Sequence, residues 1–244
     1  MYKTTSTLLL GSRGCLAMLL CMATGASARA DLLCVDFGAT GQGVADGFVA
    51  FSQATNPGTN QETRQFTTSM GVAGTVDVTV SVDSNYALGF RNRGSGVGTL
   101  ARLIEDHVKP NGSATASAEA LYLDIAGLKA GVYEITTYHH DQAGNVGKVN
   151  VVLDDALGSG QGIVSNLQQT WGAQTPAEAT FSFTADGMNP VRVTLQEVAG
   201  SHTVLEAALN GFTLQVPEPS CIATWLAGCL ALLVISPRRA RSFR

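Results

Sequence analysis

Positive charge is scarce in the body of this sequence. Between residues 31 and 216, eight lysines and arginines face eighteen aspartates and glutamates, a net charge of -10. So acidic a surface repels phosphate backbones and anionic lipid alike, and no nucleic-acid partner is expected. Cysteine is scarcer still: of Cys15, Cys21, Cys34, Cys221 and Cys229, only Cys34 falls within that body. A single thiol forms neither an internal disulfide nor a thiolate metal cluster, so Cys34 reads as a small buried hydrophobe in the first strand. There is no G-x-y period and no heptad repeat, which excludes collagen-like and coiled-coil folds. A G-x-S-x-G elbow, an H-E-x-x-H pair, a phosphate-binding loop and a cysteine beside a histidine are all missing, so the chain is not read as an enzyme. The alternative, a carbohydrate-active enzyme, needs only two carboxylates about 5–10 Å apart, a separation that is spatial.

What is present begins with two unusual ends. Lys3 and Arg13 precede an apolar run from Cys15 to Ala23, and small residues follow as far as Ala28-Arg29-Ala30. A basic region, an apolar core and an A-x-A site predict a signal peptide over 1–30, cleaved after Ala30. At the other end, Val216-Pro217-Glu218-Pro219-Ser220 leads into fifteen uncharged residues, 221–235, and then Arg238, Arg239, Arg241 and Arg244. Fifteen helical residues span about 23 Å, short of a hydrocarbon core of about 30 Å unless arginines snorkel and the bilayer thins. The arginines predict a cytoplasmic side for the tail and an outer side for the acidic body.

Residues 216–244, with Pro217, Glu218, Pro219, the apolar span and Arg238, Arg239 and Arg241, resemble the PEP-CTERM sorting signal of Gram-negative bacteria. That resemblance implies an exosortase-like processing enzyme as a partner. It also implies transient anchoring in the inner membrane through residues 221–235, then release to the cell surface or an exopolysaccharide-rich matrix.

The body over 31–215 reads as one all-β domain. Val76, Val78, Val80 and Val82 alternate with Asp77, Thr79, Ser81 and Asp83; Leu121, Leu123 and Ile125 alternate likewise. Further strands are predicted over 32–37, 48–51, 132–139, 149–153, around Phe181 and Phe183, over 191–195 and over 212–216. A helix is predicted over 100–108, where Leu100, Leu103, Ile104 and His107 share one side. Many short strands joined by Gly-rich turns predict an antiparallel β-sandwich. The opening D-F-G, the G-L-x-x-G-x-Y-x-x-T at Gly127 to Thr136 and the closing N-G-F-x-L resemble galactose-binding-like and malectin-like jelly rolls. In such a fold the first and last strands are neighbours, and Gly131 is expected to take the hairpin turn before Tyr133.

Four groups of residues are candidates for function. Trp171, the lone tryptophan outside the C-terminal span, is either a sugar platform or a cover for the sheet. His140 and Asp141 end a strand and would contact a ligand at its edge or serve structure. Arg91 and Arg93 are expected to pair with nearby carboxylates or to take an acidic polysaccharide. Asp154 and Asp155 form a solvated turn or, with Asp36 or Asp186 as further donors, a calcium site; no other cofactor is expected.

Overall fold

Strict alternation over residues 75–82 produces what it predicts. Val76, Val78, Val80 and Val82 are buried, and Thr75, Asp77, Thr79 and Ser81 turn outward. The computed structural model describes residues 30–53, 58–68, 74–83, 86–92, 102–111, 120–144, 147–154, 162–201 and 207–216. The expected signal peptide as far as Arg29, Ala28 included, the Pro217-Glu218-Pro219 motif, the 221–235 span, Arg238, Arg239, Arg241, Arg93 and Asp155 lie outside the described residues.

Within them the chain runs β1 (Ala30–Gly38), β2 (Val49–Ser52), β3 (Gln61–Thr67), β4 (Thr75–Val82), β5 (Ala87–Asn92), β6 (Asp106–Asn111), β7 (Ala120–Ala126), β8 (Gly131–His139), β9 (Lys148–Asp154), β10 (Gly162–Gln168), β11 (Ala177–Ala185), β12 (Val191–Glu197) and β13 (Gly211–Val216). One sheet has the order β11-β8-β13-β1-β2 and a second the order β10-β9-β12-β7-β4-β3, while β5 and β6 form a separate hairpin. The inner faces meet in one apolar core. Val35, Phe37, Ile135, Phe212 and Leu214 come from the first sheet, and Val78, Leu123, Val151, Val193 and Leu195 from the second. The hairpin adds Leu88, Phe90 and Val108, and Phe90 stacks on Phe51 with ring centroids 6.1 Å apart. Residues Ala30–Val216 form one compact unit, an antiparallel β-sandwich of jelly-roll character. Among the described residues no helix is long and apolar enough to cross a membrane.

The first and last strands are neighbours, as expected: Ala30 stands opposite Val216 and Asp36 opposite Gly211. Among the described residues, β1 and β2 alone form a parallel ladder, over Val35–Gly38. Gly211 allows the close approach here, because a Cβ on it would run into the Val35 carbonyl and sit 2.7 Å from Leu103 Cδ1.

Two expectations are corrected. Residues 102–105 form a turn and 106–111 form β6, so the expected 100–108 helix is not formed over its described part. Leu103 and Ile104 are both buried, and Val108 exchanges backbone hydrogen bonds with Leu209 at 2.9 and 3.0 Å. Pro110 also disfavours helix in the residue before it. At the β7–β8 turn it is Gly127, not Gly131, that takes the left-handed conformation, at φ 83°. Gly131 is instead the first residue of β8, lying over the Tyr133 ring, and the Tyr133 hydroxyl donates to the Lys129 carbonyl at 2.9 Å.

The register gives the first sheet two distinct ends. Ala30, Val216, Gly131 and Ala185 mark one; Gly38, Gly211, His139 and Ala177 mark the other. The six residues of β13 separate them by about 20 Å.

Candidate functional site

At the Gly211–His139 end, two loops lie side by side. The β8–β9 loop starts at His140, and the β10–β11 loop carries Thr170 and Trp171. Backbone hydrogen bonds join them: Asp141 N–H donates to the Thr170 carbonyl at 3.1 Å, and Thr170 N–H to the His139 carbonyl at 3.4 Å. Each loop then closes on itself, through Gly144 N–H to Asp141 O at 3.0 Å and Gln174 N–H to Trp171 O at 3.4 Å.

His140 is the side-chain tie between the loops. Its Nε2 lies 3.2 Å from Gln142 Oε1, which only accepts, so Nε2 carries the proton. Nδ1 then accepts from the Thr170 hydroxyl at 2.9 Å. Burial lowers the His140 pKa, opposed by Gln142, the Asp141 charge and the Gly172 carbonyl, which keeps the ring neutral near pH 7. His139, next in the chain, is also fully buried. It donates from Nδ1 to the Ala208 carbonyl at 3.0 Å, and burial depresses its pKa to about 4. Both histidines therefore hold loops in place. Asp141 is buried as well, and its Oδ1 accepts the Ala143 N–H at 2.9 Å, fixing the turn.

On this frame sits Trp171, 47% exposed. The edge of its indole rests over Gly144, where a Cβ would lie 3.7 Å from Trp171 Cδ1. The structure thus brings Trp171, His140 and Asp141 to one loop pair, with the indole half-exposed and the other two buried. Arg91 is elsewhere: on β5 it reaches along the hairpin, away from Asp106, to donate from Nη2 to Asn111 Oδ1 at 3.0 Å. Asp154 is exposed at the end of β9, opposite Arg192, which grips Asp124 through Nε and Nη2 at 2.7 and 2.8 Å. Asp186 is occupied within its own turn by the Met188 and Asn189 N–H groups. Among the described residues no three His, Cys, Asp or Glu side chains are grouped so as to hold a metal ion.

A second cluster lies near the same end, inside the protein. Asp36 on β1 is 3% exposed and Asp106, opening β6, is 1% exposed. Asp36 Oδ2 accepts the Ala45 N–H at 2.8 Å, while Oδ1 of each aspartate is buried without a hydrogen bond among the described residues. Burial raises the Asp36 pKa to about 6, against the Ala45 N–H and with help from Glu105. Burial, then the charges of Asp36 and Glu105, raise Asp106 to about 7 against Arg102. Glycoside hydrolysis pairs one carboxyl of raised pKa with one ionised carboxylate, whereas here both carboxyls are raised and both are buried. Sequence reading missed Asp106, because it fell within the expected helix. The signal for Asp36 was a lone charge inside the otherwise apolar Leu32–Phe37 strand.

No protein-family model matches the chain. No curated protein matches it either. Among solved structures, the chain is similar to the CBM22-1 xylan-binding domain of Xyn10C from Paenibacillus barcinonensis, at 12% identity over 57% of this chain and 86% of that one, with a TM-score of 0.38. It is also similar to a CBM35 module from Cellvibrio japonicus, at 17% identity over 56% and 91% with a TM-score of 0.32. A third is the carbohydrate-binding module CBM6cm-2 of Cellvibrio mixtus lichenase 5A in complex with cellotriose, at 14% identity over 54% and 87% with a TM-score of 0.29.

Proposed function

We propose that the Ala30–Val216 sandwich is a glycan-binding module of an exported envelope or matrix protein, and that sugar is held at the Trp171 loop end. The observation behind this is the half-exposed indole, fixed on a loop that His140 ties to its neighbour. A large flat apolar face costs least to cover when its partner is also flat and partly apolar, as one face of a pyranose ring is. The exposed side chain that shares its turn, Gln174, and Gln142 in the partner loop are uncharged hydrogen-bonding groups suited to hydroxyls. The indole carries the assignment, not the distant likeness to xylan-binding and cellotriose-bound modules.

The role is binding, not catalysis. The chain is exported with cleavage after Ala30 and held for a time in the inner membrane through residues 221–235. An exosortase-like enzyme then cuts it near Pro217-Glu218-Pro219 and delivers it to an exopolysaccharide matrix.

Removal of Trp225 with the C-terminal span would leave Trp171 as the sole tryptophan of the mature protein, so its fluorescence reports the site directly. Titration with neutral oligosaccharides and with the host's exopolysaccharide fragments should shift the emission. Trp171→Ala should weaken binding measured by calorimetry at least tenfold, with the circular dichroism spectrum unchanged. Equal affinity in the variant would remove Trp171 from the site.

A further inference from the structure

Among the described residues the two large sheets end in β11, β2, β10 and β3. Three of these edges are poor templates for a further strand. β2 is 4 residues long, β3 carries Glu62 and Arg64, and β10 is broken by its bulge between Val164 and Leu167. Short length, charge and bulges are the usual guards of a sheet edge. β11 has none of them. Its 9 residues pair with β8 without a shift of register, and they include no lysine, arginine, proline or glycine. Glu178 is its one charge.

The far side of β8 shows which groups of β11 are open. Asn210 N–H donates to the Tyr138 carbonyl, so the even-numbered residues of β8 bond toward β13. In a regular antiparallel ladder the alternate residues bond the other way, so odd-numbered residues join β8 to β11. Glu178, Thr180, Ser182 and Thr184 therefore turn both N–H and C=O away from the sheet. Among the described residues no hydrogen bond from another element reaches those backbone groups. The strand also reads nearly the same in both directions about Phe181: Ala177 and Ala185 end it, and Thr180 and Ser182 flank the centre. Two copies laid antiparallel, Phe181 opposite Phe181, bring Thr180 opposite Ser182 and Glu178 opposite Thr184. Every outward group then finds a partner, hydroxyl faces hydroxyl, and no carboxylate faces another. Sliding by one pair either way leaves Thr184 or Glu178 unpaired.

We propose that β11 pairs with β11 of a second copy, joining two five-stranded sheets into one across a two-fold axis at Phe181. Because the strands run antiparallel, the two Trp171 loops, each just ahead of β11, stand at opposite ends of the pair. They are separated by at least the strand's own length, about 27 Å. On the glycan-binding reading given above, such a dimer ties two glycan chains together.

Sedimentation equilibrium of the full chain in mild detergent measures the pairing. Ser182→Pro removes one outward N–H and keeps the ladder to β8, since an edge strand accepts proline on its open side. Ser182→Lys sets a guarding charge at the same place. Each should weaken dimerisation at least tenfold with the circular dichroism spectrum unchanged. Mild oxidation of the Thr180→Cys, Ser182→Cys double variant should give a covalent dimer, and Thr180→Cys alone should not. A natural chain that stays monomeric, or dimers of equal strength in both Ser182 variants, would overturn the pairing. Cross-linking through Thr180→Cys alone would overturn the centred register. The natural protein should also precipitate the host's exopolysaccharide, whereas Ser182→Pro should bind it with the same affinity per site and leave it in solution. A dimer that Ser182→Pro dissociates but that binds no glycan would reject the Trp171 site and leave the β11 pairing standing.

Discussion

Asn210 shows how much one side chain does in this sandwich. Its Nδ2 donates to the Asp106 carbonyl at 2.6 Å and its Oδ1 accepts the His140 N–H at 2.6 Å. Its own backbone meets Tyr138 and Phe37, at 2.9 and 2.8 Å. One amide thereby joins β1, β6 and the start of the β8–β9 loop, and it is fully buried. Replacing Asn210 with Ala strands a buried donor and a buried acceptor, so unfolding should become easier by about 2–4 kcal/mol, measured in urea. Asn210→Asp keeps the acceptor for His140 but loses the donor to Asp106, and adds a further carboxylate to Asp36, Asp106 and Glu105. It should be no better than Ala above neutral pH. The N-G-F-x-L pattern placed this residue at the start of the last strand. Nothing in the pattern told that its amide would span 104 residues to Asp106, because that contact is made by chain crossing.

Among the elements, β4, β7, β8, β9 and β12 were legible because each buries one face and wets the other. The missed strands break that rule for separate reasons. In β3 the residues Gln61–Thr67 hold a single large apolar side chain, Phe66, as suits a strand at the edge of a sheet. β10 is the opposite edge, and its alternation is interrupted by a bulge between Val164 and Leu167 where Asn166 adopts φ 55°. β6 buries Asp106, His107 and Lys109 along with Val108, so no period of two survives. Of the candidate site, Trp171 and its polar loop were legible, while the tie through Thr170 and His140 was not, since it joins residues 30 apart. That tie should be separable from the fold. Thr170→Val removes the hydroxyl that donates to Nδ1 of a buried ring, so stability should fall by about 1–2 kcal/mol. The Trp171 emission should also broaden as the loop loosens. An unchanged fluorescence anisotropy in the variant would show that the backbone bonds alone hold the loop.

For the molecule as a whole, the buried Asp36–Asp106 pair lowers stability as the pH rises, and the two raised carboxyls together outweigh His139, whose depressed pKa acts in the opposite sense over the same range. Both carboxyls hold a proton more tightly in the fold than in the unfolded chain, at about 6 and about 7 against an ordinary value of 3.8. Their contribution to stability is therefore fully present below about pH 4 and is lost as the pH rises through 6 and 7. Thermal melts should move down between pH 4.5 and pH 7.5, by about 5–10 °C for a loss on the order of 2–4 kcal/mol. Asp106→Asn should flatten most of that slope. A melting temperature that instead rises steadily over the window would show that other groups govern it.

The placement of the ends has a mechanical consequence. Val216 leaves the sheet at one end, and the Trp171 loop stands at the other. If the protein is held at Val216 and loaded through a glycan at Trp171, tension runs lengthwise through β13. Its ladders to β1 and β8 then bear the load in shear, all hydrogen bonds sharing it at once, since these bonds lie across the strand axis. Tension between Ala30 and Val216 would do the reverse and peel β1 from β13 one pair at a time. Single-molecule pulling through residues 171 and 216 should therefore require a markedly higher force than pulling through residues 31 and 216. Held and loaded in this way, the sandwich resists along β13 between Val216 and the Trp171 loop and yields between Ala30 and Val216.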